Sequence, residues 1–287
     1  MPVHGPALTY VEATLNFAHP ESETRLLDET DRSKSVRRFA PRTIRIHDAR
    51  PIARDFSIEK NGFELVTQKT ACKDFSDAAH VSTVYFPEIE KLIKERTGAE
   101  RVLIFGPALR TDSPSRGADV RQPATAPHVD YSEKMVRYFI GDMLGEAEAE
   151  RLKSRRVMLI NVWRPLRTVE RSPLALCDAA TVTRDDLVLA YVKGSVASKP
   201  GEEPLVSEGY NVFFNEAQRW YYFPRQQADE VLVFRLCDSD RDAIQLTAHT
   251  AFDDPTGGPD AAYRQSYEIR TIAIMPPLGF TEPHAPP

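Results

Sequence analysis

Apolar positions recur along this chain with two different periods, and the strand period dominates its second half. After about residue 155, short runs either alternate apolar and polar positions or are wholly apolar, which is typical of β-strands. The runs are RRVMLINVW, DLVLAYVK, YNVFFN, RWYYF, EVLVFRLC, QLTAHTAF and SYEIRTIAIM, separated by turn-rich pieces such as SKPGEEP and DDPTGGPD. We therefore predict a mainly β fold, a barrel or sandwich with flanking helices.

Two segments before these runs have helical spacing. The segment 86–97 has Pro87 near its start and Gly98 directly after its end, which are typical positions of these residues at the two ends of a helix. Its apolar residues at helical spacing are Ile89, Leu92 and Ile93. A second helix is predicted after Ser132, which we expect to act as its N-cap. The apolar face of this second helix consists of Met135, Phe139, Met143 and Leu144.

The first 40 residues have no sustained apolar period. We predict that residues 1–40 form an irregular N-terminal arm and that residues 41–287 form a single domain. Within that domain, TIRIHDAR and GFELVTQ alternate like two strands, with a turn at Asn61 and Gly62, and RVLIF is expected to be a buried strand.

Composition excludes several classes of protein. Of the 287 residues, 41% are hydrophobic and 28% are charged, as in an ordinary globular protein. The net charge of −5 does not indicate a nucleic-acid-binding protein, and no run of 18 apolar residues indicates a membrane span. The N-terminus does not resemble a secretory signal. The three widely spaced cysteines form no disulfide or zinc pattern, so a cytoplasmic location is expected, whereas the oligomeric state is left open.

The motif H-x-D at His128 and Asp130 is the first candidate for chemistry. In an extended strand, residues i and i+2 point to the same face, so one imidazole and one carboxylate lie side by side and are placed to bind one metal ion. The alternative is a surface pair without function, because this spacing is common by chance.

A third ligand is suggested by His249, in the predicted strand LTAHTAF. Two histidines and one carboxylate form the facial triad of non-haem Fe(II) oxygenases, which leaves positions for cosubstrate and oxygen. The alternatives are a strand histidine without a partner and a metallohydrolase that uses the same three ligands.

Downstream of His249, Arg264 and Ser266 are again two positions apart. A guanidinium beside a hydroxyl suits recognition of a carboxylate, although an arginine on a surface strand is the commoner reason for such a pair. The order H-x-D, then H, then R-x-S resembles the 2-oxoglutarate-dependent oxygenases. That resemblance implies a double-stranded β-helix, a jelly-roll barrel of cupin type.

Longer segments narrow the resemblance to the hydroxylase/desaturase group that contains fungal gibberellin desaturase and cephamycin-cluster relatives. The segments are GFELV, YFPEIEKLIKERTGA, NVWRPL, SPLALCDAATV, WYYFPRQQADEVLVFRLCDS, HTAFDDP and RQSYEIRTIAIM, spanning roughly residues 40–275. The resemblance implies Fe(II) at His128, Asp130 and His249, with the cosubstrate 2-oxoglutarate held by Arg264 and Ser266, and oxidation by O2 of a small, secondary metabolite. It leaves hydroxylation, desaturation and ring formation open. The alternative in another class is a non-catalytic accessory or ligand-binding protein on the same fold.

Four further residues are candidates for contacts with substrate or with the metal ligands. They are Tyr131, Asn161, Arg164 and Tyr222. For Arg164, a structural salt bridge with Asp178 is an equally good interpretation. Arg270 is expected to form an ion pair with Glu268 and to have a structural role. At least one of the loops 110–127 and 195–208 is predicted to become ordered when substrate binds and to act as a lid.

Overall fold

The strands of the protein form two sheets. The computed structural model describes residues 8–21, 26–117, 120–194, 203–240 and 246–277. The strands in chain order are β1 (Tyr10–Ala18), β2 (Leu26–Asp28), β3 (Phe39–Asp48), β4 (Phe63–Thr67), β5 (Arg101–Thr111), β6 (His128–Val129), β7 (Val157–Pro165), β8 (Leu174–Cys177), β9 (Leu187–Lys193), β10 (Val206–Val212), β11 (Trp220–Tyr222), β12 (Glu230–Asp238), β13 (His249–Ala251) and β14 (Gln265–Ile274).

Nine of these strands form one sheet, in the order β1-β3-β11-β8-β13-β6-β10-β9-β2, and five form the other, in the order β4-β12-β7-β14-β5. Side chains from both sheets meet in one apolar core, for example Leu176 of β8 and Phe234 of β12. The two sheets therefore face each other, as the strand pattern predicts.

Helices cover parts of both sheets. They are α1 (Ala78–His80), α2 (Phe86–Thr97), α3 (Glu133–Leu144) and α4 (Glu146–Arg151), with a π-helical turn (Val81–Tyr85) joining α1 to α2 and short 3-10 turns at Arg32–Lys34, Arg50–Asp55, Ala179–Thr181 and Arg184–Asp186. Helix α2 packs on the outer face of the five-stranded sheet and forms a second apolar core with it. Helix α3 contributes its buried face to the core between the sheets.

Alternation along β7 and β14 decides which side chains reach the space between the sheets. In β7, Trp163 belongs to the core between the sheets, whereas Val162 belongs to the core under α2. In β14, Glu268 pairs with Trp163 and Arg270 pairs with Asn161, so these side chains share the inner face. Ser266, which is two positions before Glu268, lies on the same inner face.

The helix prediction over residues 86–97 is confirmed, and Gly98 ends it in the left-handed conformation at φ 72°. Helix α3 follows Ser132 as predicted, but the Ser132 hydroxyl donates a 2.7 Å hydrogen bond to Glu208 rather than capping the helix. Met143, predicted on the apolar face, is 39% exposed.

The prediction that residues 1–40 are irregular is wrong for Tyr10–Ala18. This segment pairs along its whole length with β3 and buries alternate side chains. The buried inward positions Val11, Ala13, Leu15 and Phe17 explain why it joins the sheet. The boundary at residue 41 stays a prediction. Among the described residues, no helix has the length and apolar character needed to cross a membrane.

Candidate metal centre

The fold brings the three predicted metal ligands together in the space between the sheets. His249 of β13 lies directly opposite His128 of β6 in an antiparallel pair, and Asp130 follows β6 by one residue. The two imidazole rings have centroids 4.3 Å apart, and His128 Nε2 lies 3.4 Å from Asp130 Oδ1. One potential ligand atom from each of the three residues lies within 4.8 Å of the others. This donor set, two imidazoles and one carboxylate, suits a first-row divalent metal ion.

Backbone carbonyls orient both imidazoles toward the cluster. His128 Nδ1 lies 2.8 Å from the carbonyl oxygen of Ala126, and His249 Nδ1 lies 3.2 Å from that of Thr247. A carbonyl only accepts hydrogen bonds, so each Nδ1 carries the proton and donates it. Each Nε2 lone pair is then available to a metal, which is the arrangement that metal-binding histidines adopt.

The carboxylate of Asp130 is held on one side. Its Oδ2 accepts hydrogen bonds from Arg270 Nε and Nη2, both at 3.1 Å, and from Asn161 Nδ2 at 3.2 Å. Burial opposes the charge of Asp130, but the Arg270 guanidinium above all, with smaller contributions from the neighbouring imidazoles of His128 and His249, outweighs it and holds the pKa of Asp130 well below its usual range. Asp130 is therefore ionised and presents Oδ1 to the histidines.

His249 is deeply buried, with its ring centroid 4.7 Å from that of Phe234. Burial, followed by the neighbouring His128, lowers the pKa of His249 to about 4. The imidazole is neutral at physiological pH, and neutral imidazole is the form that binds metals.

A line of alternating charges extends from Asp130 into the five-stranded sheet. Arg270 Nη2 donates to Glu268 Oε1 at 2.7 Å, and Arg110 Nη2 donates to the same oxygen at 2.8 Å. The predicted Glu268–Arg270 ion pair is thus confirmed, but Arg270 also reaches Asp130. Burial opposes the Glu268 charge, and Arg110 and Arg270 outweigh it, lowering the pKa of Glu268 to about 2.

Arg264 and Ser266 are buried on the same inner face, with 2% and 1% of their surfaces exposed. Arg264 Nη1 donates to the carbonyl oxygen of Ser172 at 2.7 Å, and the guanidinium carbon lies 5.5 Å from the Trp163 ring centroid. Arg264 Nε and Ser266 Oγ have no hydrogen-bond partner among the described residues. Burial and the nearby Arg110 lower the pKa of Arg264 to about 10. A buried guanidinium with one unpaired N–H and a buried hydroxyl without a partner among the described residues are placed to receive an anion that the protein itself does not supply.

Two of the four other candidates join the cluster. Asn161 contacts Asp130 directly, and the ring centroid of Tyr131 lies 5.7 Å from the Arg270 guanidinium carbon. Tyr131 also packs edge-on against Phe139 of α3.

The structure places Arg164 and Tyr222 away from the cluster. The guanidinium of Arg164 donates to the Tyr85 hydroxyl and to two backbone carbonyls, those of Gln68 and Ala228, on the α2 side of the sheet. The salt bridge with Asp178 is therefore also wrong. Tyr222 lies on β11, which β8 separates from β13, and its ring packs edge-on against Phe252 at 5.3 Å.

A cavity of about 260 Å³ opens beside His128, Asp130 and Arg270. Residues 121–126 form part of its wall, and β9 and β10 contribute Tyr191 and Tyr210. Arg264 and Ser266 are not part of this wall. Its volume is near the lower end of ligand cavities, about 300 Å³. The first predicted lid loop borders this cavity, while residues 195–202 of the second lie outside the described residues.

A two-histidine, one-carboxylate cluster between two facing sheets defines the protein as a candidate non-haem metal enzyme. A family model described as "Oxidoreductase/YMDC permease-like domain" matches residues 8–274. The chain is 30% identical over 275 residues to alpha-ketoglutarate-dependent dioxygenase phiK of a fungal species, covering 92% of this chain and 96% of that relative. It is 32% identical to hydroxylase/desaturase efuI of Hormonema carpetanum over 249 residues, or 80% of this chain and 82% of that relative.

The solved structure of iron and alpha-ketoglutarate-dependent endoperoxidase NvfI superposes with a TM-score of 0.82 at 28% identity, covering 94% of this chain and 99% of that one. The fold is therefore the predicted double-stranded β-helix. The chain belongs to the Fe(II)/2-oxoglutarate-dependent oxygenases, in the group of fungal hydroxylases and desaturases.

Proposed function

We propose that this oxygenase binds Fe(II) through His128, Asp130 and His249 and uses it to oxidise a small secondary metabolite. The proposal rests mainly on three potential ligand atoms that lie within 4.8 Å of one another. The Nδ1 atoms of both histidines already donate to backbone carbonyls, so each Nε2 is available to the metal. Iron bound there together with 2-oxoglutarate and O2 supplies an oxidant for C–H bonds of the substrate.

The residues of the chain would perform three tasks in this reaction. The two imidazoles and Asp130 hold the metal from one side, which leaves the opposite side for cosubstrate and oxygen. Arg264 and Ser266 would take the far carboxylate of 2-oxoglutarate, because Arg264 Nε and Ser266 Oγ are buried donors that no described residue satisfies. The cavity walls beside His128 would orient the substrate and exclude water.

The choice among hydroxylation, desaturation and ring formation depends on which substrate hydrogen lies nearest the metal. The relatives support a redox reaction on a small molecule, since their names include a dioxygenase, a hydroxylase/desaturase and an endoperoxidase. The three unpaired, buried cysteines support the proposed cytoplasmic location.

The alternative of a non-catalytic accessory protein would need no intact ligand set. All three ligands and the residues that orient them are present in this chain. A metallohydrolase would need no binding site for 2-oxoglutarate, and the unpaired donors at Arg264 and Ser266 favour the oxygenase.

Anaerobic Fe(II) titration and succinate formation from 2-oxoglutarate test the proposal. The wild-type protein is expected to bind one Fe(II) per chain and to form succinate in the presence of O2. His249→Ala is expected to lose stoichiometric iron and succinate formation, while circular dichroism shows retained folding. Full iron binding and activity in His249→Ala would contradict the ligand assignment.

A further inference from the structure

We infer that Arg270 is a positioning residue for the metal-binding carboxylate, one that restricts Asp130 to binding through Oδ1 alone. The inference rests on the proposed function, because it takes Asp130 to be a metal ligand. It gives Arg270 a role beyond an ion pair within the sheet.

Hydrogen bonding at Oδ2 of Asp130 is the first observation. Three N–H groups donate to this oxygen, Arg270 Nε and Nη2 at 3.1 Å each and Asn161 Nδ2 at 3.2 Å. A carboxylate oxygen has two lone pairs, so three donors leave none for a metal ion. The other oxygen, Oδ1, lies 3.4 Å from His128 Nε2 and is the one that faces the cluster.

The second observation is that Arg270 is itself fixed by further contacts. Its Nη2 donates to Glu268 Oε1 at 2.7 Å, and its Nη1 donates to the carbonyl oxygen of Gly106 at 2.9 Å. Glu268 is held in turn by Arg110 at 2.8 Å. All three guanidinium nitrogens of Arg270 therefore have partners, and only 5% of the residue is exposed. Fixed in this way, the guanidinium determines where the Asp130 carboxylate lies.

A bulge in β5 creates the space for this arrangement. The pairing of β14 with β5 shifts between Glu268, which pairs with Ala108, and Arg270, which pairs with Phe105. Gly106 lies in the shifted segment at φ 59°, and a Cβ there would lie 3.3 Å from Arg270 Cδ. Bulges of this kind turn backbone groups toward a site. Here, the bulge directs the Gly106 carbonyl at Arg270.

The consequence concerns the number of open metal positions. Held to Oδ1, Asp130 would supply one donor to a bound ion, and the side of the ion away from the three protein ligands would be left for a 2-oxo acid and oxygen. A carboxylate bound through both oxygens would take up one more position and compete with the 2-oxo acid.

The test separates metal binding from chelation of the 2-oxo acid. Wild type, Arg270→Gln and Arg270→Lys are titrated under anaerobic conditions, first with Fe(II) and then with 2-oxoglutarate. The visible charge-transfer band of the Fe(II) chelate measures binding of the 2-oxo acid. Pyruvate is the second probe, since it has the same 2-oxo acid group but no far carboxylate. Arg164→Gln is the matched control, because Arg164 is an equally buried arginine that contacts neither the cluster nor Arg270.

Arg270→Gln is expected to bind Fe(II) but to need about 10- to 100-fold more of both 2-oxo acids to form the chelate, the range typical of residues that orient metal ligands. Arg270→Lys keeps the charge but cannot donate from two nitrogens, so we expect an intermediate value. Arg164→Gln is expected to match wild type in both titrations. If Arg270→Gln does not fold, Arg270→Lys takes its place in the test, because a lysine cannot reproduce the two N–H donors that Arg270 directs at Oδ2.

Chelation of both acids at wild-type concentrations by Arg270→Gln, or by Arg270→Lys where Arg270→Gln does not fold, would overturn the inference. Weaker chelation of 2-oxoglutarate by Arg270→Gln, with unchanged chelation of pyruvate, would also overturn the inference, because Arg270 would then bind the far carboxylate. Failure of the proposed function is a different result, in which His249→Ala still binds Fe(II).

Discussion

Replacing Arg264 with glutamine tests the assignment of the cosubstrate site. The change removes a buried cation whose Nε has no partner among the described residues, while the contacts of Asp130 with Arg270 and Asn161 remain. We therefore expect Arg264→Gln to weaken 2-oxoglutarate binding and to leave Fe(II) binding at its wild-type affinity.

The magnitude follows from the burial of the guanidinium. Loss of one partner from a buried, hydrogen-bonded charge pair costs about 2–5 kcal/mol, so the Kd for 2-oxoglutarate is expected to rise thirtyfold or more, using about 1.4 kcal/mol per factor of ten. Ser266→Ala removes a neutral donor, and a loss of about 1 kcal/mol, or about fivefold in Kd, is expected.

Thermal unfolding with and without ligand measures this difference. At a 2-oxoglutarate concentration of about 100 times the wild-type Kd, binding stabilises the folded wild type by about 2.7 kcal/mol. A variant with a thirtyfold higher Kd gains only about 0.9 kcal/mol at that concentration. Mn(II) in place of Fe(II) prevents turnover during the measurement. Arg164→Gln serves as the control for loss of a buried arginine elsewhere, and its gain is expected to match wild type.

Two results would refute the reasoning. One is equal stabilisation of wild type and Arg264→Gln by the ligand. The other is that Arg264→Gln weakens the binding of pyruvate as much as the binding of 2-oxoglutarate, since pyruvate has no far carboxylate for Arg264 to hold.

Three further predictions concern the surroundings of the site. Gly209→Ala would place a Cβ 2.5 Å from the carbonyl oxygen of Asp130, so metal affinity and the free energy of unfolding should both fall. Gly141→Ala is the control, because a Cβ there would have no atom within 4 Å, and it should leave metal binding unchanged in the same titration. The pKa of Glu268 is lowered from 4.5 to about 2, so its stabilising effect is complete above pH 4.5 and is lost as the pH falls toward 2. Urea unfolding of wild type and Glu268→Gln should thus converge in acid, and parallel curves would contradict this. Residues 121–126 border the cavity, and their amide hydrogen exchange should slow when cosubstrate and substrate bind, while unchanged exchange would argue against a lid.

Local pattern was sufficient for the parts of the fold with a strong period. Helix α2 was predictable because Pro87 and Gly98 mark its ends, and β7, β12 and β14 because long apolar runs form buried central strands. The segment YVEATLNFA also alternates, but it is short and lies between polar segments. For that reason the prediction of an irregular arm is wrong there. The strand β8 has four buried residues, too few for periodicity to distinguish it from a loop.

The candidate site was predictable only where residues two apart in sequence also lie side by side. His128 and Asp130 meet that condition, whereas local pattern could only suggest His249 as a third ligand, because its strand is distant from theirs in sequence. The position of Arg164 needed knowledge of which face of β7 meets helix α2. The contact between Arg270 and Asp130 depends on the register of β14 with β7 and on the bulge in β5, which no local pattern specifies.

Arg264, directly before β14, and Arg270, within it, differ in a way that supports separate tasks. Their positions on the strand place their Cα atoms about 20 Å apart, too far for one small dicarboxylate to bind both near the backbone. Four of the five N–H groups of Arg270 donate to protein oxygens, so its guanidinium is already fixed against Asp130, Glu268 and Gly106. Arg264 has a buried nitrogen without a partner among the described residues, and its guanidinium reaches back over Trp163, which pairs with Glu268. Arg264 thus has an unpaired buried donor for a carboxylate, whereas Arg270 is held by three protein groups, which is why we assign the cosubstrate to the first and the positioning of Asp130 to the second.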